Sequence, residues 1–389
     1  MKRFLSVLLS LVLLCSVSLA EVTLNGDEVR NIKINPAGLN EMEDGVSPTT
    51  GRWLDEVAEL APSEGFTGMA ISGVYTPVLV QISNPEGGIG YSSKTGKATG
   101  YRAPWGAQYA DIIYESILTR PGETRLSFLF SDLIPDEAGP VRSARAFHAL
   151  LREEWDCGFA FYGQQLQTVP KIFKDYGADK KGVLFAGTDG ENKPHKAAYV
   201  KYPKMDLKDP NDMSVNAAML STLVPLDHEY PNHTYLFTDD LPDWEEEAET
   251  IYVNWGYADT VTSNSIIEWD EDEECYYRYM TDKKGQPHIY QTLQTKYDDA
   301  VEITFQNVIV QLIKMDWWNK SVPYPEAIGT GNADYFIGGR HMAGVWQRTS
   351  VADRTVFYDE NGDELELQRG RTLIIVMDYQ TEHHSVRYE

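Results

Sequence analysis

The sequence predicts an α+β protein: an N-terminal α/β layer domain followed by a smaller, mainly β C-terminal domain. Three observations carry this. Between residues 76 and 205, short apolar runs rich in β-branched residues alternate with stretches of helical period. From residue 233 onward the helical period disappears, and strand-sized apolar and aromatic runs follow one another. The 389 residues, 42% hydrophobic and 12% aromatic, supply enough apolar side chains for two cores.

The chain opens with a basic pair, Lys2 and Arg3, an apolar run from Phe4 to Leu14, and then small residues before Glu21. This is the layout of an export signal. Ser18 and Ala20 suit a signal peptidase, so residues 1–20 are expected to be removed and the protein to act outside the cytoplasm. Lipidation of Cys15 ranks below cleavage, because Leu14 occupies a position that needs a small residue. Membrane contact is expected only through an N-terminal anchor of this kind. The 59 Asp and Glu outnumber the 34 Lys and Arg, and losing Lys2 and Arg3 takes the formal net charge from -25 to -27. Such a surface repels nucleic acid and anionic lipid. After processing two cysteines remain, Cys157 and Cys275, either as one bridge or as two buried thiols.

Residues 21–75, rich in Asn, Gly, Pro and Glu, are expected to form a mostly irregular extension with one amphipathic piece at 52–60. The N-terminal domain is placed at 76–205. Its first strand is expected at 76–83, followed by a glycine-rich loop over 84–106. A hairpin over 111–118 and 124–131 turns at Pro121-Gly122. A helix is expected from about Val141 to Trp155, with Arg142, Arg145, His148 and Arg152 on a basic face. Strands at 158–163 and 182–186 flank a second helix, at 164–176, which is interrupted by Pro170 and closed by Gly177. Residues 206–232 read as a linker. The C-terminal domain, at 233–379, is expected to have strands near 234–238, 251–255, 275–280, 307–313, 355–358 and 372–377, with a hairpin turn at 359–362. Residues 380–389, with His383 and His384, read as an unstructured tail.

These segments carry a pattern. In the first half it consists of Ala110–Ser116 (A-D-I-I-Y-E-S), Thr124–Phe130, Gly139–Arg145 (G-P-V-R-S-A-R) and Lys193–Lys196 (K-P-H-K). In the second it consists of Tyr276–Tyr279, Gly285–His288 (G-Q-P-H), Asn307–Gln311, Ala333–Gly339, Gly344–Arg348, Phe357–Asp363 and Gly370–Thr372. On these residues the chain resembles the YerB-like family of exported bacterial lipoproteins, whose two domains are of unknown function. The resemblance implies an extracytoplasmic protein with an N-terminal α/β and a C-terminal domain, and it brings no catalytic assignment. The chain departs from the pattern at Leu14, at Lys196 and at Tyr290.

The candidate site centres on Arg142, Ser143 and Arg145. At the first turn of a helix, unpaired N–H groups and arginine forks suit a carboxylate or phosphate. In the competing arrangement these arginines pair with Glu115, Asp132, Asp136 or Glu137 and lock the loop to the hairpin. Glu115, Arg125, His195 and His288 are placed around the clamp. Each histidine follows a proline in a polar turn and is suited to acid, base or ligand work, one in each domain, facing across a cleft. No metal-ligand spacing and no phosphate loop is found, so neither metal nor cofactor is expected. Ser143 lacks the G-x-S-x-G frame, and Cys157 reads as core. The expectation is a cell-envelope protein that binds an anionic wall component or a partner protein in an interdomain cleft. The alternative is a cell-wall hydrolase or transferase with His195 or His288 as general base.

Overall fold

The computed structural model describes residues 19–389 except 63, 85–89, 92–97, 100–103, 120–121, 202–211, 257–263, 282–286, 290, 294–299 and 320–321. For 90–91, 98–99, 281, 287–289, 291–293 and 300 it describes the backbone alone. The export signal, the start of the hairpin turn at Arg120-Pro121 and most of the 84–106 loop lie outside the described residues.

The chain is predominantly β. Eleven strands form one large sheet: β1 (Val78–Ser83), β2 (Ile112–Thr119), β3 (Glu123–Phe130), β4 (Gly158–Phe161), β5 (Leu184–Ala186), β6 (Glu246–Glu247), β7 (Asn307–Ile313), β8 (Gly329–Ile337), β9 (Arg340–Arg348), β10 (Val356–Tyr358) and β11 (Thr372–Asp378). Their spatial order is β6-β9-β8-β7-β11-β2-β3-β1-β4-β5, with β10 on β9. Two helices of seven or more residues occur among the described residues, α1 (Ala146–Trp155) and α2 (Val169–Asp175). The α/β layer expected in the N-terminal half therefore holds less helix than the alternation of apolar runs suggested.

The two halves of the sequence meet within this sheet. β11 runs parallel to β7 on one side and to β2 on the other, pairing Thr372 with Ile112 through Val376 with Ser116. Both β7 and β11 are buried along their whole length. Their near-continuous apolar sequences, N-V-I-V-Q-L-I and T-L-I-I-V-M-D, suit strands covered on both faces.

A second, antiparallel sheet contains Ala20–Glu21, Thr250–Trp255, Ser265–Asp270, Cys275–Thr281, Pro287–Ile289, Thr304–Phe305 and His384–Tyr388. The expected tail thus supplies a strand, held between Thr250–Trp255 and Ala20–Glu21, with His384 Nδ1 3.1 Å from the Asp378 carbonyl. Its polar composition hid a strand that buries alternate residues, His384, Val386 and Tyr388. This sheet covers the face of β2 that carries Glu115. Arg278 reaches Glu115 Oε2 at 2.5 Å, with both side chains fully buried. α1 covers the opposite face, where Trp155 Nε1 donates to Tyr114 Oη at 3.0 Å. Arg348 of β9 holds Glu154 of α1 at 3.0 Å, so the helix is fastened to the C-terminal half as well.

The N-terminal extension has little regular structure but is pinned along its length. Arg30 donates to both carboxylate oxygens of Asp334, at 3.0 and 2.9 Å. Ser47 and Thr50 donate to Asp132 at 2.6 Å each, and Thr49 donates to Asp111 at 3.1 Å. Burial raises the pKa of both aspartates; the charge of Asp132 raises Asp111 further, and hydrogen bonds from Ser131 to Asp111 and from Ser47 and Thr50 to Asp132 offset only part of it. A carboxyl group raised in the folded state holds its proton more tightly folded than unfolded. Its contribution to stability is full below the unfolded value and is lost as the pH rises through the folded one.

Two outcomes follow. Relative to wild type, Asp111→Asn gains urea resistance at about pH 7.5, and that advantage shrinks toward about pH 5; midpoints at the two pH values check it. Arg278→Met costs roughly 3–5 kcal/mol by stranding the Glu115 charge, and adding Glu115→Gln restores much of it, as a double-mutant cycle in urea measures.

Candidate functional site

Pro140–Arg145 is extended, which corrects the expected helical first turn. The Arg142 N–H donates to the Gln81 carbonyl at 2.8 Å, and the Arg142 carbonyl accepts from Tyr162 at 2.9 Å. The Ala144 N–H donates to the Gly163 carbonyl at 3.0 Å. β1 and the exit of β4 thus consume backbone groups that a helix would have used. Gly139 lets the segment enter, since a Cβ there would sit 2.4 Å from Trp105 Cζ2.

α1 begins one residue after this strap, with Arg145 as its extended N-cap. The Arg145 N–H donates to His148 Nδ1 at 3.0 Å, so the imidazole proton lies on Nε2, 3.3 Å from Ser116 Oγ. Burial, then the charges of Arg125 and Arg145, hold the His148 pKa well below the ordinary histidine value. The ring is a neutral cap at physiological pH. The expected basic face of the helix is not a surface either. Arg152 is fully buried and bonded to Glu153 at 2.8 Å and Asp156 at 2.6 Å. All ten residues of α1 are buried: on the side the helical wheel assigned to solvent, His148 meets Ser116 of β2 and Arg152 is enclosed by Glu153, Asp156 and the Cys157 carbonyl.

Three arginines do converge. Arg125 of β3 stands opposite Ser83 and Ser116, on the α1 face of the sheet. Its Nη1 donates to the Ser143 carbonyl at 2.5 Å, and Arg145 Nη1 donates to the same oxygen at 3.3 Å and to the Ala144 carbonyl at 3.1 Å. Two guanidinium groups therefore crowd one acceptor. Burial holds the Arg125 pKa well below the ordinary arginine value, and the positive charges of Arg145 and Arg142 push it further down. Arg145 is lowered by burial and by Arg142, with Glu123 opposing. Like charges about 5 Å apart repel by roughly 3 kcal/mol at an effective dielectric constant of about 20. A docked anion would remove that penalty.

The other expected members are placed elsewhere or otherwise engaged. Glu115 alternates with Ser116 along β2, so it lies on the opposite face from Arg125, where it accepts from Arg278, Asn84 at 2.9 Å and Thr124 at 2.7 Å. Asp132 accepts from Ser47 and Thr50. Ser143 donates its hydroxyl to the Tyr162 carbonyl at 2.9 Å. His195 is buried under Phe185, with Nε2 3.2 Å from the Ala186 carbonyl and 3.1 Å from Asp189 Oδ2, an arrangement that pins its turn. The His288 backbone pairs with Met280 in the second sheet, and its side chain lies outside the described residues. Sequence reasoning missed Arg278, whose only signal was its place in a matched Y-Y-R-Y run, and missed His148 as the cap of α1.

Among the described residues no group of three or more His, Cys, Asp or Glu could hold a metal ion. Cys157 and Cys275 are both free and buried, and burial pushes the Cys157 thiol up to about 12. That thiol is inert at neutral pH.

A mainly β protein of two lobes, joined through one sheet and carrying an arginine cluster on an extended strap, is the class these features define. The chain matches the family described as Protein of unknown function (DUF3048) in both parts, the N-terminal domain over residues 95–212 and the C-terminal domain over residues 253–374. It belongs to this YerB-like, two-domain family. Among solved structures it is similar to the crystal structure of YerB protein from Bacillus subtilis, at 19% identity and a TM-score of 0.60, over 88% of this chain and 99% of that one. No curated protein matches.

The crowding of guanidinium groups has a stability signature. Without a bound anion, Arg145→Met raises stability by about 1 kcal/mol in low-salt chloride buffer, because it removes a repulsion and gives up only weak bonds to carbonyls. Urea unfolding at low and high salt checks this, and the gain shrinks as salt screens the charges.

Proposed function

We propose that the protein works at the cell envelope by binding an anionic wall component through Arg125, Arg142 and Arg145. The observation that carries this is the sharing of the Ser143 carbonyl by two guanidinium groups, with Arg142 adding a third positive charge. An anion bound there would relieve the mutual repulsion of the buried Arg125 and Arg145. Arginine forks on a rigid strap can clasp a phosphate or carboxylate in two-pronged fashion. The exterior location rests on the export signal read at residues 1–20. The strongly acidic remainder of the chain supports selectivity, since anions are repelled everywhere except at such a basic spot.

A hydrolase or transferase reading has less behind it. His195 faces a carbonyl and a carboxylate in its own turn, His148 is a neutral buried cap, and the Ser143 hydroxyl is engaged.

The test is a thermal-shift and pull-down comparison with purified wall fragments that carry phosphate or carboxylate groups. Wild type is expected to bind and to gain stability. Arg142→Ala and Arg145→Met each lose at least about tenfold in affinity, in line with the loss of a charge-assisted bond. An equal shift for wild type and both variants would overturn the assignment.

A further inference from the structure

β6 ends the large sheet and is only two residues long, with Glu246 opposite His341 and Glu247 opposite Arg340 on β9. A strand this short gains little from its ladder alone. Its fastening runs through one imidazole. His341 Nδ1 lies 2.6 Å from Glu246 Oε2, and its Nε2 lies 2.9 Å from Asp334 Oδ1 of β8. Ionised carboxylates only accept, so the ring donates from both nitrogens and carries both protons. Tyr388 donates its hydroxyl to the same Glu246 oxygen at 2.7 Å, and its ring lies 4.3 Å from the imidazole. Arg30 donates to both oxygens of Asp334. The N-terminal extension, β6, the β8 and β9 hairpin and the C-terminal strand thus meet at one histidine.

The two carboxylates differ in a way that decides what happens when the ring loses a proton. The Asp334 side chain is 1% exposed and held by Arg30, whereas that of Glu246 is 62% exposed and lines a cavity of about 570 Å³. A buried carboxylate that lost its donor could not turn to water, so the remaining proton stays on Nε2. The Nδ1 lone pair then faces Glu246 Oε2, and two acceptors cannot bond. Glu246 can turn to solvent. The charged and titratable groups around the ring are Asp334, Glu246 and Tyr388 in contact, Arg30 behind Asp334, and Arg340 paired with Glu247 at 3.3 Å beside it. Glu21, Asp243, Glu245 and Glu360 line the cavity beyond.

The acid limit lies with Glu246. Hydrogen bonds from His341 and then Tyr388 hold its carboxyl below the ordinary carboxylate range. A group lowered in this way contributes above its unfolded value and loses that contribution as the pH falls through the folded one. The contact is therefore broken from both sides, by protonation of Glu246 in acid and by loss of the ring proton in alkali.

We propose that Asp334, His341 and Glu246 form a pH-sensitive latch: the doubly protonated ring holds β6 on the edge of the large sheet, and loss of the Nδ1 proton frees β6 and with it one wall of the cavity. The latch shares no residue with the arginine cluster, so its failure leaves the anion site untouched.

The test follows cleavage of the mature chain by a glutamyl endopeptidase within Trp244–Glu249, divided at each pH by the rate for a free peptide of the same sequence. In wild type the corrected rate is expected to be about tenfold higher at about pH 9 than at about pH 6, as when one charge-assisted hydrogen bond is lost from a locally opening segment. Ring nitrogen NMR spectra of His341 are expected to show two protonated nitrogens at the lower pH and Nε2 alone protonated at the higher. His341→Gln donates to a carboxylate at any pH, and Glu246→Gln can meet the imidazole in either state. Each is expected to be cleaved at one corrected rate at both pH values. Glu246→Gln lies at the exposed end, so it decides the matter together with the ring spectra if His341→Gln fails to fold. A singly protonated ring at the lower pH, equal corrected rates for wild type, or a pH dependence that survives in Glu246→Gln overturns the latch.

Discussion

The buried contact between Glu115 and Arg278 organises this molecule twice over. It joins the second sheet to the large one through a pair with no exposure on either side. It also engages Glu115, the acid that β2 carries next to Ser116, on the far face of the sheet from Arg125. Two charges taken out of water hold only if each is matched and hydrogen-bonded. Asn84 and Thr124 complete the carboxylate's partners. With Glu115 held there, Glu123 is an acid that opposes Arg125 and Arg145 on the α1 face.

The strap Pro140–Arg145 holds the proposed site in place. Its backbone is bonded to β1 and to the exit of β4, so it cannot shift to spread the charges apart. The Ser143 carbonyl offers one acceptor to two guanidinium groups, and His148, kept neutral by burial and then by the charges of Arg125 and Arg145, caps the helix without adding a further one. Rigidity matters here, because a site that cannot relax keeps its affinity for a compensating ion.

Much of the strand content was legible from the sequence, and the reason is local. The run N-V-I-V-Q-L-I at 307–313 is a strand over those same residues, and the hairpin expected over 111–118 and 124–131 is found at Ile112–Thr119 and Glu123–Phe130. What the sequence could not show depends on partners far away in the chain. The parallel pairing of β11 with β2 joins residues more than 250 positions apart, so two textures that read as separate layers share one sheet. The strap reads as helix because Val141 continues the helical period of α1 backward, yet its donors are claimed by Gln81 and Gly163. Arg142 and Arg145 were visible as a cluster at 140–145. Arg125 was placed with them from its hairpin, whereas the separation of Glu115 from it needed the alternation of β2 and the arrival of Arg278.

The central claim is that Arg125, Arg142 and Arg145 act together on one anion. Its most direct test is an NMR titration that follows the arginine Nε–H resonances as inorganic phosphate is added at constant ionic strength. Saturable shifts of Arg125, Arg142 and Arg145 with a common dissociation constant, while buried Arg152 and Arg278 stay in place, are the predicted result. Shifts spread evenly over all arginines, or none at these three, would contradict it.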